Sequence, residues 1–315
     1  MRHFLRDDDL SPAEQAAVLD LAAKLKAAPF DQRPLAGPRS VAMIFDKPTL
    51  RTQTSFAAGI AELGGNPMLV EGRLAGIGIR ESVQDVARVL GRQAAVVVWR
   101  TFLQSDLDQM AAHAGVPVVN ALTDDFHPCQ VIADLLTVRE HKGGLAGLTV
   151  TFLGDAACNM GSSWLLGGTT AGMHVRVSGP DGYTADAAVL ARASEIGSAT
   201  GGTATAVLDP VEAVTGADVV VTDTWISMGK EAEEAARVAD LAPYALTTRL
   251  LAAARPDAIV LHCLPAYRGM EIAAEVLDGP QSVVWDEAEN RRHAQKAVLA
   301  FLLEHAGADS SGEGS

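Results

Sequence analysis

No apolar run in this 315-residue chain approaches the ~20 residues that a bilayer-crossing helix needs. A membrane protein of the helical kind is therefore not expected. The opening stretch MRHFLRDDDLSPAEQ lacks the basic start, apolar centre and small-residue cleavage site of a secretory signal, so the expectation is a cytoplasmic protein. Cysteine is scarce. Cys129, Cys158 and Cys263 are an odd number at wide spacings, which suits reduced thiols and not a disulfide framework or a zinc site. Positive charge is also short, with 25 Lys and Arg against 39 Asp and Glu for a formal net charge of −14. That balance argues against general nucleic-acid binding, and an anionic substrate would need a local cationic pocket. The G-x-G-x-x-G fingerprint is missing too. Leu153-Gly154-Asp155-Ala156-Ala157-Cys158-Asn159 leaves a strand and enters a helix, but without closely spaced glycines a dinucleotide pyrophosphate has no close approach to the backbone. No organic cofactor and no metal is expected.

What the chain does have is 48% hydrophobic residues over a length that favours two domains. Ser11-Pro12-Ala13-Glu14 is a capping-box start with proline at the first helical position, followed by helical periodicity to about Leu25. Short β-rich runs then alternate with helical stretches. The first series comprises SVAMIF from Ser40, AAVVVW from Ala94 and VPVVN from Val116. A second begins with LTVTFL at Leu148 and continues through runs at His174, Asp218, Ala258 and Ser282. Continuous apolar runs of this length read as buried parallel strands, so the fold class expected is α/β, with two domains that each hold a parallel sheet flanked by helices. His141-Lys142-Gly143-Gly144, after a long helix from about Pro128, is the hinge candidate. The expected division is residues 1–144, residues 145–305 and a disordered polar tail, 306–315. The last helix is expected over Glu289 to Leu303.

Chemistry-bearing residues gather where strands end. Thr49-Leu50-Arg51-Thr52-Gln53 joins a buried strand to a helix, and outward backbone N–H groups there, with Arg51 and Thr52, suit an anion. The plainer reading is helix capping. Arg100 ends another strand, and His127 and Gln130 open a helix after a third, so all could converge on that anion. Taken singly, His127 before Pro128 reads as a turn residue. In the second half, Asn159 reads as a polar ligand contact, and Asp223 to Gly229 offers a carboxylate, a hydroxyl and backbone groups that suit a zwitterionic amino acid. His262 and Cys263 are adjacent and point to opposite faces of an extended chain, which argues against a nucleophile–base pair.

Taken in order, FHPCQ (Phe126 to Gln130), DTWISMG (Asp223 to Gly229), HCLPA (His262 to Ala266) and WDEAENR (Trp285 to Arg291) resemble the aspartate/ornithine transcarbamylase family, on its ornithine-using side. The resemblance spans nearly the whole chain. It implies transfer of a carbamoyl group from carbamoyl phosphate to the side-chain amine of L-ornithine. It further implies that the final helix packs back on the first domain and that the chain forms a homotrimer or a multiple of it. By that resemblance Thr49, Leu50, Arg51, Thr52, Arg100, His127, Gln130 and Arg291 bind carbamoyl phosphate, joined by Cys263 and Leu264 through backbone oxygens. Asn159, Asp223, Ser227 and Met228 hold ornithine. Arg100, His127, Asp223 and Cys263 are the residues implied to be catalytic.

Departures from the family pattern fall mostly on the phosphate side. The usual serine-threonine-arginine-threonine-arginine segment reads Thr49-Leu50-Arg51-Thr52-Gln53, which removes a hydroxyl at Leu50 and a cation at Gln53. Gly76 replaces a polar residue in the loop Gly72 to Arg80 that in the family reaches a neighbouring subunit, with Arg80 a candidate substitute. Cys158 stands for the first of two asparagines. Three readings stay open on the sequence: an ornithine carbamoyltransferase, a specialised or inhibitor-tolerant transcarbamylase acting on another amine, and a silent amino-acid-binding relative.

Overall fold

Residues 1–226 and 231–306 are described by the computed structural model. Ser227, Met228 and nearly all of the expected tail lie outside them. The chain divides into two compact units, residues 1–133 with those from 289 onward, and residues 134–288. The sequence expectation put the division near residue 145; this one falls inside the helix Pro128–Lys142.

In the first unit, β1 (Ser40–Phe45), β2 (Asn66–Glu71), β3 (Val96–Arg100) and β4 (Val118–Leu122) form a parallel sheet of order β2-β1-β3-β4. Ala42, Ile44, Val97, Trp99 and Val118 bury one face of it against Val83, Ala87, Leu107 and Met110. The helix Pro12–Ala27 opens with Ser11 accepting from the Glu14 N–H and the Glu14 carboxylate accepting from the Ser11 N–H, as the capping pattern predicts. The final helix belongs to this unit from Glu289 on. Lys296, fully buried, pairs with Glu62 and donates to the Leu25 carbonyl at 3.1 Å, and Lys26 donates to Asn290 at 2.8 Å.

The second unit holds β5 (Thr149–Leu153), β6 (His174–Ser178), β7 (Thr203–Ala206), β8 (Val219–Thr222) and β9 (Ile259–Leu261) in the parallel order β7-β6-β5-β8-β9. Leu153, Val220 and Val260 pack with Val214, Leu246, Leu250 and Val276. The run from Ser282 is not a strand. Ser282 makes a single bridge to Val260, and the last helix begins at Val284 and runs to His305, five residues earlier than its charged segment suggested.

Strand order locates the ligand-binding ends. In the first sheet neighbouring connections run in opposite directions from β1 and β3, and in the second from β5 and β8. Loops that leave such a pair of strands diverge and leave a crevice at the carboxyl ends, where open α/β sheets hold ligands. Asp46 to Thr52 follows β1, Arg100 ends β3, Asn159 follows β5 and Asp223 follows β8.

Candidate active site

The donor-side residues come together in the first unit. Thr52, 1% exposed, sits in the first turn of the helix Arg51–Glu62, and its hydroxyl accepts from Nη2 of Arg291 at 3.0 Å and from Nη1 of Arg100 at 3.4 Å. Its hydroxyl is therefore turned toward two guanidinium groups and not used as a cap. Leu50 occupies the N-cap without a side-chain bond, and Thr49 accepts from the Thr52 N–H only across 3.4 Å. Ser55 and Thr54 donate back to the Arg51 and Leu50 carbonyls. The capping reading thus explains little of this hydroxyl-rich turn.

His127 is buried. Burial first, then the positive charges of Arg291, Arg100, Lys47 and Arg51, hold its ring well below the ordinary imidazole range, so it is neutral at pH 7. Its carbonyl accepts from the N–H of the fully buried Gln130 at 3.0 Å. Four cations therefore bear on one neutral imidazole, in a chain whose net charge is −14. Leu50 is the exception among the donor-side residues, with its side chain 72% exposed. Lys47, which the sequence reading did not single out, is buried, pairs with Asp124 and lies 4.4 Å over the Phe102 ring. Its signal was its place directly after a buried strand. Cys129 is a buried hydrophobe, its thiol bonded to the Asn120 carbonyl and pushed up to about 12.

The described acceptor-side residues, Asn159 and Asp223, lie in the second unit with Cys263 and Leu264. Asn159 is the first residue of the helix Asn159–Thr170, with Cys158 at its N-cap. Asp223 accepts from the Thr224 N–H at 2.7 Å and from the Cys263 thiol at 3.1 Å. Burial raises the Asp223 carboxyl above the ordinary range. Burial and then the facing Asp223 charge raise the Cys263 thiol well above its own, so Cys263 is a protonated donor and not a thiolate. Asp155, in the loop after β5, pairs with Arg237, whose Nε donates to the Trp225 carbonyl at 2.6 Å in the loop after β8.

His262 and Cys263 form no nucleophile–base pair. Cys263 turns to Asp223, while the ring of His262 accepts the Leu264 N–H at Nδ1, 2.9 Å away, and meets Glu271 through Nε2 at 3.1 Å. Asp223, His262 and Cys263 bring ligand-type atoms within 4.8 Å of one another. Both imidazole nitrogens are already committed, so this cluster is a hydrogen-bond network, not an open set of metal ligands. Glu271, whose partners His262 and Tyr267 lie nine and four positions back, and Glu287, which accepts the His262 N–H 25 positions away, were not singled out in the sequence.

Two family models match the chain: the carbamoyl-P binding domain of aspartate/ornithine carbamoyltransferase over residues 2–140, and its Asp/Orn binding domain over residues 146–302. An ornithine carbamoyltransferase of Clavibacter sepedonicus is 63% identical over 302 residues, covering 96% of this chain and 98% of that protein. Among solved structures, an ornithine carbamoyltransferase from Gloeobacter violaceus is 44% identical with a TM-score of 0.87, covering 96% of this chain and 99% of the other. One from Pyrococcus furiosus is 39% identical with a TM-score of 0.92 over 96% and 97% of the two chains.

Proposed function

Because the chain belongs to the aspartate/ornithine carbamoyltransferase family, we propose that it transfers the carbamoyl group of carbamoyl phosphate to the side-chain amine of L-ornithine, giving L-citrulline and phosphate. The observation that carries this reading is the buried set of Thr52, Arg100, His127 and Arg291 at the carboxyl end of the first sheet. It supports assigning residues 1–144, joined by Arg291 of the returning last helix, to carbamoyl phosphate, and the rest of 145–305 to ornithine.

The residues suit the steps. Arg51, Arg291 and the helix N-terminus offset phosphate charge, with Thr49, Leu50 and Gln130 supplying backbone or amide contacts. As the amine attacks the carbamoyl carbon, negative charge grows on the carbonyl oxygen. Arg100, neutral His127 and Thr52 are the donors placed to stabilise it, each such donor contributing about 3 to 4 kcal/mol. The new C–N bond forms, the C–O bond to phosphate breaks, and phosphate departs. A side-chain amine is charged at neutral pH and must lose a proton to attack. Asp223 is the proposed acceptor of that proton, Cys263, a protonated thiol, orients Asp223 by donating to it, and the second proton shed by the attacking nitrogen leaves on the departing phosphate. Asn159, Ser227 and Met228 are proposed to hold the amino-acid end of ornithine, and the backbone oxygens of Cys263 and Leu264 the carbamoyl NH2.

A role in arginine biosynthesis in the cytoplasm follows from the product and completes the reading. The proposed assembly is a homotrimer or a multiple of it; the exposed Leu69, Leu74 and Ile79 offer apolar surface for such contacts. Citrulline formation by purified protein, with L-ornithine, L-lysine and putrescine as alternative acceptors, tests the function. Ornithine-dependent turnover supports it; product only with another amine, or none with any, overturns it.

A further inference from the structure

The turn after β9 carries a residue that ought not to adopt its conformation. Leu264 has φ +59°, the only positive value of a non-glycine among the described residues. A branched aliphatic side chain gains nothing locally from the left-handed region, so surrounding contacts must hold it there. One such contact comes from a neighbouring side chain. His262, with no exposed surface, accepts the Leu264 N–H at its Nδ1. An accepting Nδ1 carries no proton, so the ring proton is on Nε2, aimed at Oε1 of Glu271 3.1 Å away. Glu271 is equally buried, and the same oxygen accepts the Tyr267 N–H at 2.5 Å. The His262 N–H is in turn held by Glu287 at 2.8 Å. Between the two clamped residues is Cys263, whose thiol meets Asp223.

We infer that His262 is a positioning residue for the carbamoyl transfer: Glu271 fixes its tautomer, Nδ1 locks the left-handed turn at Leu264, and the lock aims Cys263 at Asp223. The inference rests on the proposed reading in that this turn serves the acceptor amine. Nothing in it requires His262 to touch substrate.

Two substitutions separate the lock from simple space-filling. The amide oxygen of Asn, an acceptor, stands as many bonds from Cα as Nδ1, whereas the amide nitrogen of Gln, a donor, matches Nε2. His262→Asn keeps an acceptor for the Leu264 N–H, and His262→Gln keeps only a partner for Glu271. The larger Gln fills the cavity better, so a packing role ranks the two in the opposite order. Two readouts are taken: kcat and KM for each substrate, and the alkylation rate of Cys263 by iodoacetamide, followed by peptide mass in protein without substrates. For His262→Gln the expected result is a fall in kcat of about ten- to a hundred-fold, the size of a lost buried hydrogen bond, and faster Cys263 alkylation. KM for carbamoyl phosphate should change by a smaller factor than kcat, because Arg51, Arg100, His127 and Arg291 lie in the other unit and only the backbone oxygens of Cys263 and Leu264 are disturbed. His262→Asn should resemble the unaltered protein in both. Equal behaviour of the two variants, or Gln outperforming Asn, overturns the inference. If the Gln variant does not fold, the Asn variant decides: retained kcat and slow alkylation support the lock, and tenfold changes in both overturn it. If the unaltered protein makes no citrulline, the functional reading fails and the alkylation arm still tests the lock.

Discussion

Nη2 of Arg291 donates to the hydroxyl of Thr52 across 3.0 Å, although 239 positions separate the two residues. The bond joins the start of the helix Arg51–Glu62 to the final helix, and both groups are buried. Thr52→Val keeps the shape and removes the acceptor shared with Arg100. Loss of a hydrogen bond to a charged group costs about 1.5 to 3 kcal/mol. KM for carbamoyl phosphate should rise about tenfold or more, and the urea midpoint should fall. Unchanged donor kinetics would remove Thr52 from the anion-binding set.

The altered segment Thr49 to Gln53 can be reversed. Leu50→Thr places a hydroxyl at an N-cap that has no side-chain bond, worth about 1 kcal/mol of stability. Gln53→Arg restores a cation on the half-buried side of the same turn. The double variant should bind carbamoyl phosphate about ten- to a hundred-fold tighter, read from KM or from direct calorimetry. No gain would mean that Arg51, Arg291 and Lys47 already satisfy the phosphate.

Two buried histidines make stability depend on pH. His127 is held well below its ordinary 6.5, and His293 is lowered to about 4 by burial and the charges of Lys296 and Arg292. Below about pH 6.5 the unfolded chain binds protons at these positions that the folded chain refuses. Stability from this source is intact above the unfolded value and falls as pH drops toward 4. Urea unfolding at about pH 7 and about pH 5, for the protein and for His293→Gln, isolates the His293 share. The variant should lose less stability on acidification; equal losses would count against a buried neutral ring.

Thiol chemistry should be slow throughout. Cys129 is pushed up to about 12, and Cys158 and Cys263 are both raised well above ordinary by burial first. The reactive species is the thiolate. All three should alkylate far more slowly at pH 7 than in the urea-unfolded chain, and Asp223→Asn should speed Cys263 by removing the facing charge. A fast-reacting Cys263 in the native protein would contradict its role as a protonated donor.

At Gly72 the limit is steric. A Cβ there would lie 1.8 Å from Oδ1 of Asp46, whose other oxygen accepts the Trp99 indole N–H at 2.7 Å. Gly72→Ala should therefore cost about 1 to 3 kcal/mol, visible as a lower urea midpoint followed by Trp fluorescence. A midpoint unchanged from the parent would mean that the Asp46 side chain moves aside freely.

Continuous apolar strands announced themselves because both faces are covered; Ser40–Phe45 is one, reproduced to the residue. The edge strands β2 and β7 were not legible. No position of either is fully buried, Pro67 interrupts one, and Thr203–Ala206 is too short and too mild to carry a period. Val283 and Val284 misled in the other direction, since an apolar pair at a helix start reads like the end of a strand. Among the candidate site residues, Arg100 and Asp223 stood out because each ends or follows a buried run, and His127, read singly as a turn residue, only through convergence with them; Glu271 carries no such local pattern.

By itself the sequence determined the alternation of strand and helix, the set of cations and hydroxyls at strand ends, and the motifs shared with the family, because these depend on neighbours a few positions apart. Tertiary structure alone decided which lone residues act together. The Thr52 hydroxyl is turned to two arginines from distant segments, and a leucine is held left-handed by a histidine whose proton is fixed by a buried glutamate. The arginine contacts depend on strand order and on where the chain returns, and the histidine's, only two and nine positions apart, on how the turn after β9 folds and is buried.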